Sequence, residues 1–544
     1  MSYISKIYSN IQKEVAEKEP FNEDLIYFRQ NENIEELLRG IFSSLESIKG
    51  VKLKQCKMDY FDNIYENKTL SDKRKKNRQY YDVDIEKSRF MSVKVVVELT
   101  DNTGDVKDHE LNLLYPELID GQYYYIGDNK YFPVFQLVDA EFYRAGREAI
   151  VLKTLFMPLR LNGKTKDVLV DIDGDLSETL KGRIIYLDIF KGKKIPAPLF
   201  YFAMMGVEET LKFLDLDPYM NITESGMEPD PAYFYFKLNK GINLEVNKEW
   251  LLEDIRYRNS MVLTIQELFK RLRIGIDKVE DQGYWKRSLG EKFTKNTNPA
   301  SKLEKCDSIL ISFERIMDEY TKKILRIPDE DKKDTKTIVR FMMKHYESIC
   351  RMDPHHLDNK RMRIGEHLLY PLAQKISNTT YRMVNFKESQ RTMKALKGMF
   401  SAIGEDFLIK NIISNSLMRY SNSVNTIDLL SRNLKASKTG AQSSTKKSSP
   451  SVTTKSINAS YIGRADLVAT SSNEPGISFS LVPTVEVKDP NNEGMFFFSD
   501  KPLIEDFDIK SYEDDDELNP EDEYIEIDLE DEGKEIDTQW PEDI

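Results

Sequence analysis

Apolar positions Ile34, Leu37, Leu38 and Ile41 recur at helical spacing, so the first 50 residues read as helical. The period then changes. Met91–Leu99 is a continuous apolar, β-branched run and predicts a buried strand. Tyr123–Ile126 and Tyr131–Leu137 flank Gly127-Asp128-Asn129 and predict a hairpin, because Gly, Asp and Asn tolerate the backbone of a tight turn. Between 150 and 200 short apolar stretches alternate with polar turns, the pattern of short strands. From about 205 the pattern is mostly helical, with long segments near 245–275, 300–325, 335–350, 366–380 and 387–420. Strand-like sequence resumes at Ser478–Val487, and no internal repeat is visible. The expected class is α+β, multidomain.

Composition sharpens this picture. The chain has 544 residues, 40% hydrophobic and 31% charged, a globular balance long enough for several cores. Cys56, Cys306 and Cys350 lie far apart, which excludes a disulfide framework or a four-cysteine zinc site and points to a reducing compartment. The longest nearly apolar run, Ile195 to Val207, is too short to span a bilayer, and Met1-Ser-Tyr-Ile-Ser-Lys does not open a signal peptide; a soluble intracellular protein is expected. The formal charge of −13 conceals an asymmetry. Residues 504–544 hold 20 Asp/Glu against 2 Lys/Arg, leaving a slightly basic body of 72 against 77. Such a tail reads as a solvated segment, or as a mimic of nucleic acid or docking strip for a basic partner. Ser437–Ser456, with seven Ser, four Thr and four Lys, reads as a mobile basic loop, because it has too little apolar surface to offset its ordering entropy.

Several clusters invite a chemical reading. Asp171, Asp173 and Asp175 alternate around Gly174 and could hold Mg2+; a turn between two strands selects the same residues. Leu176 and Gly182 stand where an EF-hand loop needs Gly and Glu. Gly163-Lys164-Thr165 lacks the upstream glycine of a phosphate-binding loop, since Pro158 is there. The five histidines and three cysteines form no zinc or nucleophile motif. Lys73, Arg74, Lys75, Lys76 and Arg78, next to Tyr80 and Tyr81, suit phosphate contact with base stacking, or a plain solvated loop. His356, Asn359, Lys360, Arg361 and Arg363 form a dense donor set between two helices. In an extended loop Arg361 and Arg363 share a side, which suits a polyanion in a groove.

This last segment, His356-Leu-Asp-Asn359-Lys360-Arg361-Met-Arg363-Ile-Gly365-Glu366, resembles the His-Leu-Gly-Asn-Arg-Arg-x-Arg-x-x-Gly-Glu signature of the β subunit of multisubunit RNA polymerases. Asp358 replaces a Gly, Lys360 an Arg, one residue is missing before Gly365, and His355 stands where the family usually has Asp. Three further segments agree in colinear order. Ile126 to Gln136-Leu137 is similar to the family's Ile-Asn-Gly-x-Glu…Gln-Leu. Lys193-Lys194-Ile195-Pro196-Ala197, with Gly206, is similar to Arg-Lys-Leu-Pro-Ala. Ile462-Gly463-Arg464 with Asn473-Glu474-Pro475-Gly476 resembles Tyr-Gly-Arg…Pro-Glu-Gly. Cellular β subunits are about twice as long, so the chain resembles the N-terminal half of a split β, as in giant bacteriophages, closest to their non-virion polymerase, with the virion-packaged enzyme as the near alternative; Lys-, Asn- and Ile-heavy usage fits an AT-rich phage genome.

The resemblance implies a protrusion from 1–150, a lobe-like insertion at 151–355, a fork-like loop and returning helices at 356–425, a hybrid-proximal region at 426–503 and the acidic tail at 504–544. It implies one wall of the DNA cleft, with His356–Arg363 near the downstream edge of the bubble and Arg464 near the RNA–DNA hybrid. It places Asp171–Asp175 in the lobe, away from chemistry; no catalytic residue and no cofactor would belong to this chain. Mg2+ would sit in a β′-like partner. Expected partners are a β C-terminal half, split β′ subunits, a promoter-specificity subunit, DNA template and transcript, in the cytoplasm of an infected bacterium and with no membrane. Two alternatives stay open: a standalone nucleotidyltransferase using Asp171, Asp173 and Asp175, and a phage nucleic-acid-binding scaffold protein.

Overall fold

A computed structural model describes residues 30–60, 88–440 and 452–498, apart from positions 120–121, 140, 147, 155–157, 173–174, 190–192, 226–229, 240, 273, 296, 315, 318–320, 323–324, 365, 385–389, 423–424, 471–473 and 488–494. Its apolar side chains gather into two cores. One is built from residues 142 to 350, the other from 34 to 137 together with 357 to 498. The chain thus leaves the second core, completes the first, and returns.

The second core begins with helix Gln30–Ser43, which buries Ile34, Leu37, Leu38 and Ile41 as their spacing predicts. The helix packs on a three-stranded antiparallel sheet of Val51–Tyr60, Phe90–Thr100 and Val106–Pro116. The predicted hairpin forms between Tyr123–Ile126 and Asn129–Pro133. Gly127 (φ 59°) and Asp128 (φ 63°) supply the two left-handed residues such a turn requires. The second arm ends earlier than predicted. Pro133 has no amide to extend the ladder, and the chain passes through Val134 into another sheet as strand Phe135–Asp139.

In the first core the expected short strands are replaced by a long antiparallel pair, Pro158–Ile172 with Asp175–Ile189. Backbone pairing continues where Lys164, Thr165 and Asp167 are exposed, so the apolar pattern fades before the ladder does. Asp171 and Asp175 lie in these two strands, which Ile172 and Asp175 pair across the turn. Helix Arg256–Arg271 covers the outer edge of the second strand. Ser260 Oγ accepts from the Arg183 amide at 2.9 Å and Thr264 Oγ1 from the Ile185 amide at 3.0 Å, satisfying donors that a free edge would leave open. Gly163 has a structural role here. An added Cβ would lie 2.6 Å from the Tyr346 hydroxyl, which donates to the Glu148 carbonyl at 2.6 Å.

Two helical expectations are corrected. Residues 220–247 form a three-stranded sheet, Met220–Glu224, Ile242–Asn247 and Tyr233–Asn239, in which Phe234, Phe236 and Leu238 are buried at period two. The segment 387–420 yields short helices Met393–Gly398 and Phe407–Ser414 and then strand Met418–Tyr420, which pairs with Asn129–Pro133. The Ser437–Ser456 stretch is not one loop. Ser437 ends strand Lys435–Ser437, Lys438 is buried, Val452–Lys455 is a helical turn, and 441–451 lie outside the described residues.

A six-stranded sheet organises the return to the second core. Its order is Ala465–Asp466, Ser478–Leu481, Lys435–Ser437, Phe135–Asp139, Lys360–Arg363, Met495–Phe497. The strands come from sequence positions more than 300 residues apart, and they include three of the four segments that carry the β-subunit resemblance or their immediate neighbours.

Candidate nucleic-acid interface

The segment that follows helix Tyr346–Cys350 is held by its own polar side chains. Asp353 Oδ1 accepts from the His355 amide at 2.7 Å, and its carbonyl accepts from Asn359 Nδ2 at 2.9 Å. His356 caps the short turn Leu357–Asn359, its Nδ1 accepting from the Asp358 amide at 3.2 Å. Leu357 is buried, and its amide donates to Ser460 Oγ at 3.0 Å. Asn458 Nδ2 donates to Asp353 Oδ2 at 3.2 Å. The 353–359 turn therefore rests directly on 458–464.

Beyond Asn359 the chain is a strand buried on both faces. Phe135–Asp139 runs antiparallel on one side and Met495–Phe497 on the other. Lys360, Arg361 and Arg363 are 6%, 3% and 1% exposed. Their cross-strand neighbours are specific. Lys360 stands opposite Asp139 and its ammonium is ion-paired with that carboxylate. Arg363 stands opposite Gln136 and donates from Nε to Gln136 Oε1 at 2.9 Å. Gln136 Nε2 in turn donates to the Thr439 carbonyl at 3.2 Å. Thus the Gln136-Leu137 segment and the Lys360–Arg363 segment, separated by more than 200 residues, recognise each other.

Asp139 is the centre of this network. Lys153, from the first core, approaches its other oxygen at 3.3 Å. Burial alone would raise the Asp139 carboxyl, but Lys360 and Lys153 hold it far below the ordinary carboxylate range. Lys153 is itself pushed down by burial, against the pull of Asp139. Lys438 lies 5.5 Å from the centroid of the Tyr461 ring and is pushed down to about 8, first by burial and then by Lys360. Nearby, Arg326 approaches buried Glu141 at 3.5 Å and stacks over Phe497 at 4.5 Å. The seam between the two cores is therefore ionic, and it carries more cations than carboxylates.

Arg464 reaches the same turn. Its Nη2 pairs with Asp358 Oδ1 at 2.8 Å, and the guanidinium lies 5.5 Å over the Phe498 ring. Arg464, His356 and Asn359 keep partial exposure. Glu474-Pro475-Gly476, in the same resembling segment as Arg464, closes on residues 454–456. Lys455 Nζ pairs with Glu474 at 3.2 Å, and the Gly476 amide donates to the Lys455 carbonyl at 2.8 Å. A Cβ on Gly476 would fall 2.2 Å from the Ser456 carbonyl oxygen, so only Gly fits.

The structure therefore brings His356, Asn359, Lys360, Arg361, Arg363 and Arg464 into one region and divides their roles. Three cations are internal to a sheet; the extended segment they occupy is a paired strand, not an open loop. His356, Asn359 and Arg464 line its surface end. Lys193 and Lys194, in the fourth resembling segment, lie elsewhere, exposed at the end of the five-stranded sheet of the first core. Lys73, Arg74, Lys75, Lys76 and Arg78 lie outside the described residues. Sequence reading missed Asp139, Lys153 and Lys438, whose importance follows only from the pairing of distant strands.

A family model described as non-virion RNA polymerase subunit matches residues 1–517. The chain belongs to this family. It is a subunit of a phage RNA polymerase, and so a part of a DNA-directed enzyme assembled from several chains. No curated protein matches it. Among the described residues no group of three or more His, Cys, Asp or Glu is arranged to hold a metal ion; the side chains of Asp171, Asp173 and Asp175 are outside that set. Among the described residues no helix of this polymerase subunit is long and apolar enough to cross a membrane.

Proposed function

We propose that this polymerase subunit is the N-terminal half of a split β-type subunit, forming one wall of the DNA cleft and contacting template, downstream DNA and the RNA–DNA hybrid. The observation that carries the reading is the convergence of parts of three resembling segments, 135–137, 356–363 and 464–466, on one sheet and its adjoining turn. Chance matches would have no reason to meet in space. The two-core arrangement, with residues 142–350 inserted between 34–137 and 357–498, supports a lobe inserted into a protrusion-like body.

In this reading His356, Asn359 and Arg464 present donors to nucleic acid, with Lys73, Arg74, Lys75, Lys76 and Arg78 as a second basic contact. Lys360, Arg361 and Arg363 fix the shape of the strand that ends at this surface. Their contribution to binding is positional: Lys360 and Arg363 fix that strand to Phe135–Asp139, while Leu357, Asn458 and Arg464 hold the 353–359 turn against 458–464. Catalysis belongs to the assembly. Mg2+ sits in a β′-like partner, and the remaining partners are a β C-terminal half, the other β′ fragment and a promoter-specificity subunit, in the cytoplasm of the infected cell.

The test is affinity purification of the full chain from infected cells in high salt, with mass spectrometry of what remains bound. High salt removes phosphate-mediated bridging, so what survives is held by protein contacts. Stoichiometric recovery of split β and β′ fragments, in a complex that extends RNA, supports the reading. Recovery of the chain alone overturns it.

A further inference from the structure

Arg464 is a cation at the surface end of the interface, and its guanidinium is already engaged. Nη2 lies 2.8 Å from Asp358 Oδ1 and donates to the Phe498 carbonyl at 3.3 Å. The choice of nitrogen matters. A guanidinium forms a two-bond fork with an oxyanion side-on, through Nε and Nη2, or end-on, through Nη1 and Nη2. Both forks need Nη2, which carries two hydrogens and here meets two acceptors. A phosphate therefore forms a fork with Arg464 only by displacing one of them.

Only the Asp358 contact is ionic, so it is the one that a second anion competes with. The Asp358 side chain is 37% exposed and that of Arg464 26%, so water reaches the pair and its separation costs little. The turn keeps other anchors. The Leu357 amide donates to Ser460 Oγ and Asn458 Nδ2 to Asp353 Oδ2, both independent of the Asp358 carboxylate. Asp358 meets the His356 ring through its backbone amide. The signature that this segment resembles has Gly at the position of Asp358, so the carboxylate is a departure of this chain.

We propose that Asp358 is a built-in competitor for Arg464. Its carboxylate holds the guanidinium when nucleic acid is absent and yields it to a backbone phosphate when a strand is in place. This regulation rests on the reading of Arg464 as a nucleic-acid donor. The ligand is a phosphodiester, of duplex DNA or of an RNA–DNA hybrid. Stray nucleic acid gains little from Arg464, because one ion pair is exchanged for another. A phosphate held nearby by the rest of the assembly competes at high effective concentration and wins the exchange.

A double-mutant cycle of D358N and R464A in the assembled polymerase tests this. Fluorescence anisotropy at low salt follows binding of a random-sequence DNA duplex and of an RNA–DNA hybrid of the same sequence. D358N should tighten binding of at least one probe by about two- to fivefold, the range that a partly exposed ion pair is worth. The probe that tightens identifies the strand that Arg464 meets. D358G should tighten the same probe, so that the effect belongs to the lost charge. In the R464A background D358N should lose most of its effect, and high salt should shrink it in the wild type. If D358N and D358G leave binding unchanged or weaker while R464A weakens it, the competitor is overturned and Arg464 remains a donor. Tightening that persists in full without Arg464 also overturns it. If R464A has no effect even in the D358N background, the reading of Arg464 as a donor falls, and the competitor with it.

Discussion

Asp139→Asn removes the one carboxylate that stands between Lys360 and Lys153 and keeps the side chain's shape. Both ammonium groups are largely buried, so neither recovers full hydration when the counter-charge is lost. Removing one partner of a buried ion pair costs about 3–5 kcal/mol, most of it the uncompensated charge left behind. Each 1.4 kcal/mol is about tenfold in an equilibrium, so local opening should become roughly a hundredfold or more easier. The measurement is hydrogen exchange at the amides of Phe135–Asp139 and Lys360–Arg363 under conditions where opening is in equilibrium. A local reading is needed because a chain with two cores need not unfold in one step. The pH dependence carries a sign. The folded carboxyl is held far below its unfolded value of about 4. Its contribution is therefore complete above about pH 5 and fades as pH falls through about 4 toward the folded value. The wild-type sheet should weaken over that range, and the Asn variant should lack that component. Adding Lys360→Met to Asp139→Asn should recover more than half of the loss, since only Lys153 then remains uncompensated. A loss under tenfold, or one unaffected by the second substitution, refutes the reasoning.

Three further outcomes follow from individual contacts. Lys438→Met should stabilise the sheet around Lys435–Ser437 at pH 7 by about 1–3 kcal/mol against local opening, read by hydrogen exchange, because a buried Lys pushed down to about 8 stays protonated there at a cost. Between pH 8 and 10.5 the unfolded chain holds a proton that the folded chain has released, so wild-type stability gains over that window and the Met variant lacks the gain. Gly476→Ala should lower the stability of the 452–481 region by about 2 kcal/mol or more, read by hydrogen exchange, since the new Cβ meets the backbone oxygens of Ser456 at 2.2 Å and Thr454 at 2.6 Å. Arg464→Ala should change stability by less than about 1 kcal/mol, because its pair with Asp358 is partly exposed, yet lower the salt slope of DNA binding by the assembled polymerase by about one.

What sequence could show and what it could not follow from the range of the interactions. Helix Gln30–Ser43, strand Phe90–Thr100 and the 123–133 hairpin are written in local periods and turn residues, and they were legible. The sheet at 220–247 was also written locally, in the alternation of Tyr233–Asn239, but its short strands lie within a helical stretch that dominated the pattern. Lys438 was hidden by composition: a Ser/Thr/Lys-rich run gives no sign that its first residues finish a buried strand. The donor set 356–363 was found as residue types in order. Its division into surface donors and internal clamps was not legible, because Asp139 and Gln136 are brought to it by a pairing over 220 residues away in sequence.

The cationic strand also raises a question of purpose, since buried ion pairs are weak sources of stability. A central strand reading Leu-Ile-Met-Leu in place of Lys360–Arg363 would pack more favourably. What the polar residues provide is register. With Lys360 opposite Asp139 and Arg363 opposite Gln136, every cross-strand pair is distinct. A slip of one residue would set Lys360 opposite Val138 and Arg363 opposite Phe135, leaving Asp139 and Gln136 without their partners and turning each side chain to the wrong face. An apolar strand flanked by Leu137, Val138 and Phe497 has no comparable penalty. The triple replacement Asp139→Leu, Lys153→Met, Lys360→Leu should therefore leave stability equal or higher in denaturant titrations. It should nonetheless impair RNA extension by the assembled polymerase, because the register of the strand that leads out of the turn bearing His356 and Asn359 then rests on the Arg363–Gln136 pair alone. Full activity in this variant would show that the ion cluster does not set the register. Reduced stability of several kcal/mol would show that it is needed for folding itself.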